Sequence, residues 1–233
     1  MLWYKGWLES RWKLLFLLGG QGFILISLYS MASKPAAPGA KPMLGITGIF
    51  TIFGTMLTSM LSGSGINTQP SFQAAKGLRG STYFTLSLPV SRLRLLAIRA
   101  SLGWLELIPL IGTLCFGIWA AFPIVRATAT AAEMLQYAGV VLACSSMFYS
   151  ISVLLSTFLD ELWRVWGTMI AAGSLWLAFD KTRLAEPVNM FRAMGEGSPL
   201  LAHTMPWGAM VFSVGMAVVF FIVAWRVVRV REY

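Results

Sequence analysis

Charged side chains are scarce in this chain. They make up 12% of its 233 residues, against about 25% in an ordinary soluble domain. Asp and Glu together number nine, histidine occurs once, and cysteine occurs twice. A single histidine excludes the H-E-x-x-H zinc motif. Cys115 and Cys144 both fall inside apolar runs and show neither a disulfide framework nor metal-ligand spacing. There is no G-x-x-x-x-G-K-[ST] phosphate loop and no G-x-S-x-G elbow, so neither ATP hydrolysis nor serine-hydrolase chemistry is expected of this chain. No catalytic residue and no metal ligand is predicted.

What fills the space instead is apolar surface. Hydrophobic residues reach 57% and the mean hydropathy is +0.72. A globule of this size cannot hide so much from water, so the expected solvent is a lipid bilayer. The net charge of +9 does not point to nucleic acid, because the basic residues flank apolar runs instead of clustering with aromatics. Residues 1–233 therefore read as a single all-α, polytopic membrane domain. Six runs approach the 20 or so residues that a helix needs to span: 14–32, 43–62, 95–121, 134–158, 162–179 and 207–228. They lack the alternation of a membrane barrel. With six spans both termini share a side, and that side carries twelve of the 18 Lys and Arg. The positive-inside rule makes it the cytoplasm. In that count Arg164 is a cytoplasmic flanking charge.

Two features inside the spans stand out. Thr47, Thr51, Thr55 and Ser59 recur every four residues, so they share one helix face. Such a row either packs closely on a neighbouring helix or lines a translocation path. Glu106 lies about 16 Å past Leu95 at 1.5 Å per residue. A charge at that depth costs on the order of 3 kcal/mol. It reads as a buried clamp on span two, as a translocation-path residue, or as a carboxyl kept protonated by desolvation.

The segments between spans add detail. Residues 1–13 mix four aromatic rings with charges, as an interfacial helix or a simple aromatic anchoring belt would. Residues 63–94 form a long cytoplasmic segment. Residues 180–206 form an outer loop whose apolar residues, interrupted by glycine, suit two short helices dipping into the interface. His203 within it reads as an interfacial polar residue.

The stretch Gly80-Ser81-Thr82-Tyr83-Phe84-Thr85-Leu86-Ser87-Leu88-Pro89-Val90-Ser91-Arg92 resembles the segment after the second span of ABC-2-type transporter permeases. The match is Leu88-Pro89-Val90-Ser91-Arg92; Gly80-Ser81 stands where that family has Gly-Thr, and Lys76 and Arg79 stand where it has acidic residues. The six-span count is similar too. The resemblance implies the membrane-spanning subunit of an ATP-driven exporter in a plasma membrane, the bacterial inner membrane. Residues 63–94 would then hold a coupling helix, with Phe72, Lys76, Arg79, Tyr83, Pro89 and Arg92 at the contact with an ATPase. The implied partners are two ABC ATPase subunits, which would carry ATP and Mg, and a second permease, identical or homologous. Re-entrant helices are expected in 180–206. Gly167 and Ala171, four apart, would allow close approach at the permease–permease interface. The alternative is a stand-alone channel or a membrane-embedded enzyme.

Overall fold

A computed structural model describes residues 2–32, 92–159, 161–181 and 183–230. The expected second span, its Thr47–Ser59 row and the coupling residues Phe72, Lys76, Arg79, Tyr83 and Pro89 lie outside the described residues.

All regular structure among the described residues is helical. The elements are α1 (Leu2–Ala32), α2 (Arg92–Ala121), α3 (Pro123–Thr128), α4 (Ala131–Leu155), α5 (Glu161–Lys181), a 3-10 helix at Arg183–Val188, α6 (Met190–Met194), α7 (Pro199–Ala202) and α8 (Trp207–Val230). Three of them, α2 from Leu96, α4 and α8, are long and apolar enough to cross a membrane, with mean hydropathies of 1.6, 1.9 and 2.3. This is a membrane protein.

Local chemistry explains where these helices start and stop. Thr130 caps α4 by accepting from the Glu133 backbone, while the Glu133 carboxylate accepts from the Thr130 N–H at 2.7 Å. This capping box satisfies donors that a membrane helix cannot leave bare. α3 begins on Pro123, whose missing N–H is no loss in a first turn.

The helix directions follow from their contacts. Gln21 reaches Leu110, and Leu25 lies against Gly117, so α1 and α2 run the same way. α2 and α4 run oppositely, since the Trp119 indole donates to the Ala129 carbonyl and the Tyr149 hydroxyl to that of Ala100. α5 returns along α4, with Gly167 backing onto Leu155 and Leu159. α8 then runs parallel to α4, with Ser213 against Cys144. α4 is the central helix, buried along most of its length.

Three expectations are revised. Residues 1–13 do not form a helix separate from the first span, because α1 continues unbroken for 31 residues. Nothing between Trp7 and Leu18 breaks a helix, and the rings of Trp3, Tyr4, Trp7 and Trp12 are simply exposed along it. Arg164 is not a solvated flanking charge; it is completely buried. The bare face of Gly167 is taken by Leu155 and Leu159 of the same chain.

The segment beyond α5 makes three short helical pieces instead of two, and it packs back onto α4 and α8. Gly208 permits this: a Cβ there would collide with the carbonyl oxygen of Pro187, which is backbone and cannot yield cheaply. Gly208→Ala is expected to destabilise the protein by about 1–3 kcal/mol through overpacking. Gly215→Ala, whose Cβ would meet nothing within 4 Å, should hold or raise stability by up to about 1 kcal/mol of helix propensity. Thermal unfolding in detergent compares the two, and equal effects would remove the close approach as the cause.

Candidate functional site

Glu106 sits in the middle of α2's apolar stretch with 4% of its surface exposed. The Ser10 hydroxyl of α1 donates to its Oε1. A second polar rung lies farther along the same helix pair. The Gln21 amide donates to the Leu110 carbonyl at 3.1 Å, and Thr113 Oγ1 donates to Gln21 Oε1 at 3.0 Å. Gln21 is itself buried. In hydrocarbon, hydrogen bonds of this kind fix the register of two helices at about 1 kcal/mol each. The N-terminal half of α1 is thereby held along α2.

On the other side of Glu106 stands α4. Tyr149 is buried there, its hydroxyl donating to the Ala100 carbonyl of α2 at 2.7 Å. It lies within electrostatic reach of both Glu106 and Arg164. Arg164, 0% exposed, is the largest fully buried side chain among the described residues. Thr168, one turn on, donates to the Arg164 carbonyl at 2.8 Å, so the polar character of α5 here is local and internal. Ser145, Tyr149, Ser152 and Ser156 follow one another at spacings of four, three and four. The first three share a single face of α4, Ser156 continues the row at its C-cap, and all four are buried.

The result is a polar seam through an apolar bundle. It draws Ser10 and Gln21 from α1, Glu106 from α2, Tyr149 from α4 and Arg164 from α5. It holds both signs of charge, with Tyr149 within electrostatic reach of both Glu106 and Arg164. Chemically it offers a carboxylate, hydroxyls and a guanidinium: groups that orient helices and solvate a polar solute. Among the described residues no three of His, Cys, Asp and Glu gather as metal ligands.

Of the residues singled out from the sequence, Glu106 belongs to this seam and Arg92 begins α2. Gln21, Tyr149, the serine face and the burial of Arg164 are not among them. Gln21 was discoverable as a lone amide inside an apolar run, which in a membrane helix marks an internal contact. The serine face was discoverable from its spacing, by the reasoning that picks out Thr47, Thr51 and Thr55.

Compared with protein-family models, with characterised proteins and with solved structures, the chain matches none.

Because Ser10 supplies a donor to a buried carboxylate, Ser10→Ala should destabilise by about 1–3 kcal/mol, the range for stranding such a group. Glu106→Gln keeps an acceptor oxygen and the side-chain volume, so it should lose less than about 1 kcal/mol. Thermal unfolding of the two variants decides the matter. A larger loss for Glu106→Gln than for Ser10→Ala would mean that the Ser10 contact is not what holds α1 against α2.

Proposed function

We propose that this chain is the membrane-spanning subunit of an ATP-driven exporter of the ABC-2 type. In this reading it has six transmembrane helices and both termini in the cytoplasm. It pairs with a second permease and with two separate ATPase subunits, which bind ATP and Mg.

The observation that carries the reading is the common direction of α1 and α2. Ala32 and Arg92 fall at opposite ends of that pair. A second crossing over 43–62 would join them. The start of α1, the start of α2 and the end of α8 with Arg226 and Arg229 then share one end of the bundle, rich in basic residues. That end is the cytoplasmic one by the positive-inside rule. The Leu88–Arg92 motif leads directly into it.

In mechanical terms, an ATPase pressing on residues 63–94 would push α2 along its own axis. The two polar rungs make α1 follow α2 as a rigid body, which is how packed helices move between discrete states. Glu106 serves in this scheme as the inner anchor of that pair. Phe72, Lys76, Arg79, Tyr83, Pro89 and Arg92 form the contact with the ATPase. The row Thr47, Thr51, Thr55 and Ser59 would face the path between the two permeases. A stand-alone channel or membrane enzyme would need no ATPase.

Purification from native membranes in a mild detergent should therefore recover an ATPase of the ABC class with this chain. Phe72→Asp or Tyr83→Asp charges an apolar docking face. Either is expected to abolish transport-coupled ATP hydrolysis while leaving the permease folded. Recovery of the chain with no ATPase, together with no crosslink from cysteines placed at 72 or 83, would overturn the reading.

A further inference from the structure

We infer that the outward face of α8 holds an anionic phospholipid, with its chain along Val211, Val214, Val218 and Ile222 and its phosphate at Arg226 and Arg229. The inference rests on the surface of this helix and is independent of any ATPase partner.

Height comes first. Two contacts set α2, α4 and α8 in register. Ser213 of α8 lies against Cys144 of the parallel α4, and the Tyr149 hydroxyl of α4 meets the Ala100 carbonyl of the antiparallel α2. Counted from those contacts, Arg94 falls level with the end of α4 at Leu155. Arg226 and Arg229 stand about 3 and 8 Å beyond it at 1.5 Å per residue. These three exposed arginines therefore share a layer about 8 Å deep. The headgroup region on each side of a bilayer is about 5–8 Å deep. Glu133, in the first turn of α4, lies about 33 Å from the end of that helix, close to the ~30 Å of a hydrocarbon core. The arginines stand where headgroups do.

The face comes second. At 100° per residue, Val211, Val214, Val218, Ile222, Arg226 and Arg229 fall within an arc of about 120° on α8. All six are exposed. From Val211 to Ile222 the aliphatic strip rises about 16 Å, and one leaflet of hydrocarbon is about 15 Å deep. The strip then ends in two cations three residues apart on the same face, close enough for both to reach one phosphate group. An apolar strip of acyl-chain length followed by cations at headgroup height complements a phospholipid from end to end.

Charge comes third. A guanidinium presents paired donors that match phosphate oxygens. A zwitterionic headgroup brings its own cation toward Arg226 and Arg229, whereas an anionic one does not, so the anionic lipid is favoured. A second copy of the chain fits this face less well. Related by a two-fold axis along the membrane normal, it would set its own Arg226 and Arg229 at the same height, like charge against like.

The test titrates the delipidated chain in detergent with phosphatidylglycerol or phosphatidylcholine of the same chain length, read by native mass spectrometry. The tightest phosphatidylglycerol site should bind at least tenfold more strongly than phosphatidylcholine. The double variant Arg226→Gln/Arg229→Gln should reduce phosphatidylglycerol to the phosphatidylcholine level. Both positions are exposed, so glutamine leaves the packing intact. Arg192→Gln, an exposed arginine near the other end of the bundle, should change nothing. Dihexanoyl phosphatidylglycerol should bind at least tenfold more weakly than the long-chain lipid, because its chains cover little of the strip. Equal affinity for the two headgroups, an unchanged double variant or an equal loss in Arg192→Gln would overturn the inference. So would displacement of the lipid by millimolar inorganic phosphate, which would mark a site for soluble anions. Loss of a dimer in place of lipid in the double variant would give the face to a second copy and overturn it as well.

Discussion

Hydrocarbon offers no hydrogen bonds, and most of what is distinctive in this bundle follows from that. Between water-soluble helices, burial of apolar surface drives association. Between membrane helices it does not, because lipid tails are as apolar as leucine. Packing and internal polar contacts decide register instead. A carboxylate at the centre of a span costs about 3 kcal/mol on the lenient scales, so Glu106 is tolerable only where the protein supplies donors. Ser10 is one such donor. The buried guanidinium of Arg164 lies within electrostatic reach of the same Tyr149 as Glu106.

The same constraint shapes the end of the bundle where α4 and α8 begin. α6 and α7 are far too short to be stable in isolation, yet both persist. α6 persists because its caps close its backbone and its side chains fill the gap between α4, α5 and α8. α7 ends at His203, the one non-glycine residue with positive φ among the described residues, at 52°. That turn brings the imidazole Nδ1 to 3.9 Å from the Glu133 carboxylate. The contact is exposed, so it adds little stability. Glu133 is held by its capping box regardless.

How much of this is legible in the sequence depends on whether the signal is local. Long apolar runs are local, and α2, α4 and α8 match the spans placed over them to within a few residues. Burial of a charge is not local. Arg164 stands near the start of its helix, where a basic residue normally meets water. Here α4 ends at Leu155 and α5 begins at Glu161, so a tight hairpin folds Arg164 against α4 before the chain can expose it. The unbroken course of α1 is hidden because composition changes sharply at Lys13 while helix propensity does not. Glu106 stands out because its cost is intrinsic, but the choice of Ser10 as its partner depends on how two helices, far apart in sequence, are aligned.

One helix, α4, bonds to two different neighbours. On α4, Ser145, Tyr149 and Ser152 share one face and Tyr137, Cys144 and Phe148 another. At 100° per residue these two faces are about 90° apart. Both carry groups that hydrogen-bond across helices, Tyr149 to α2 and Tyr137 to α6. A rotation of α4 about its axis could not keep both bonds, because the two acceptors belong to different neighbours. Either α4 stays fixed while α1 and α2 move against it, or it turns and releases its bonds to α2 and α6 together. The first alternative keeps the Tyr137–Met194 bond; the second breaks it together with the Tyr149–Ala100 bond. α4 is therefore the helix least free to turn, while Ser10 with Glu106 and Gln21 with Leu110 and Thr113 tie α1 and α2 to each other.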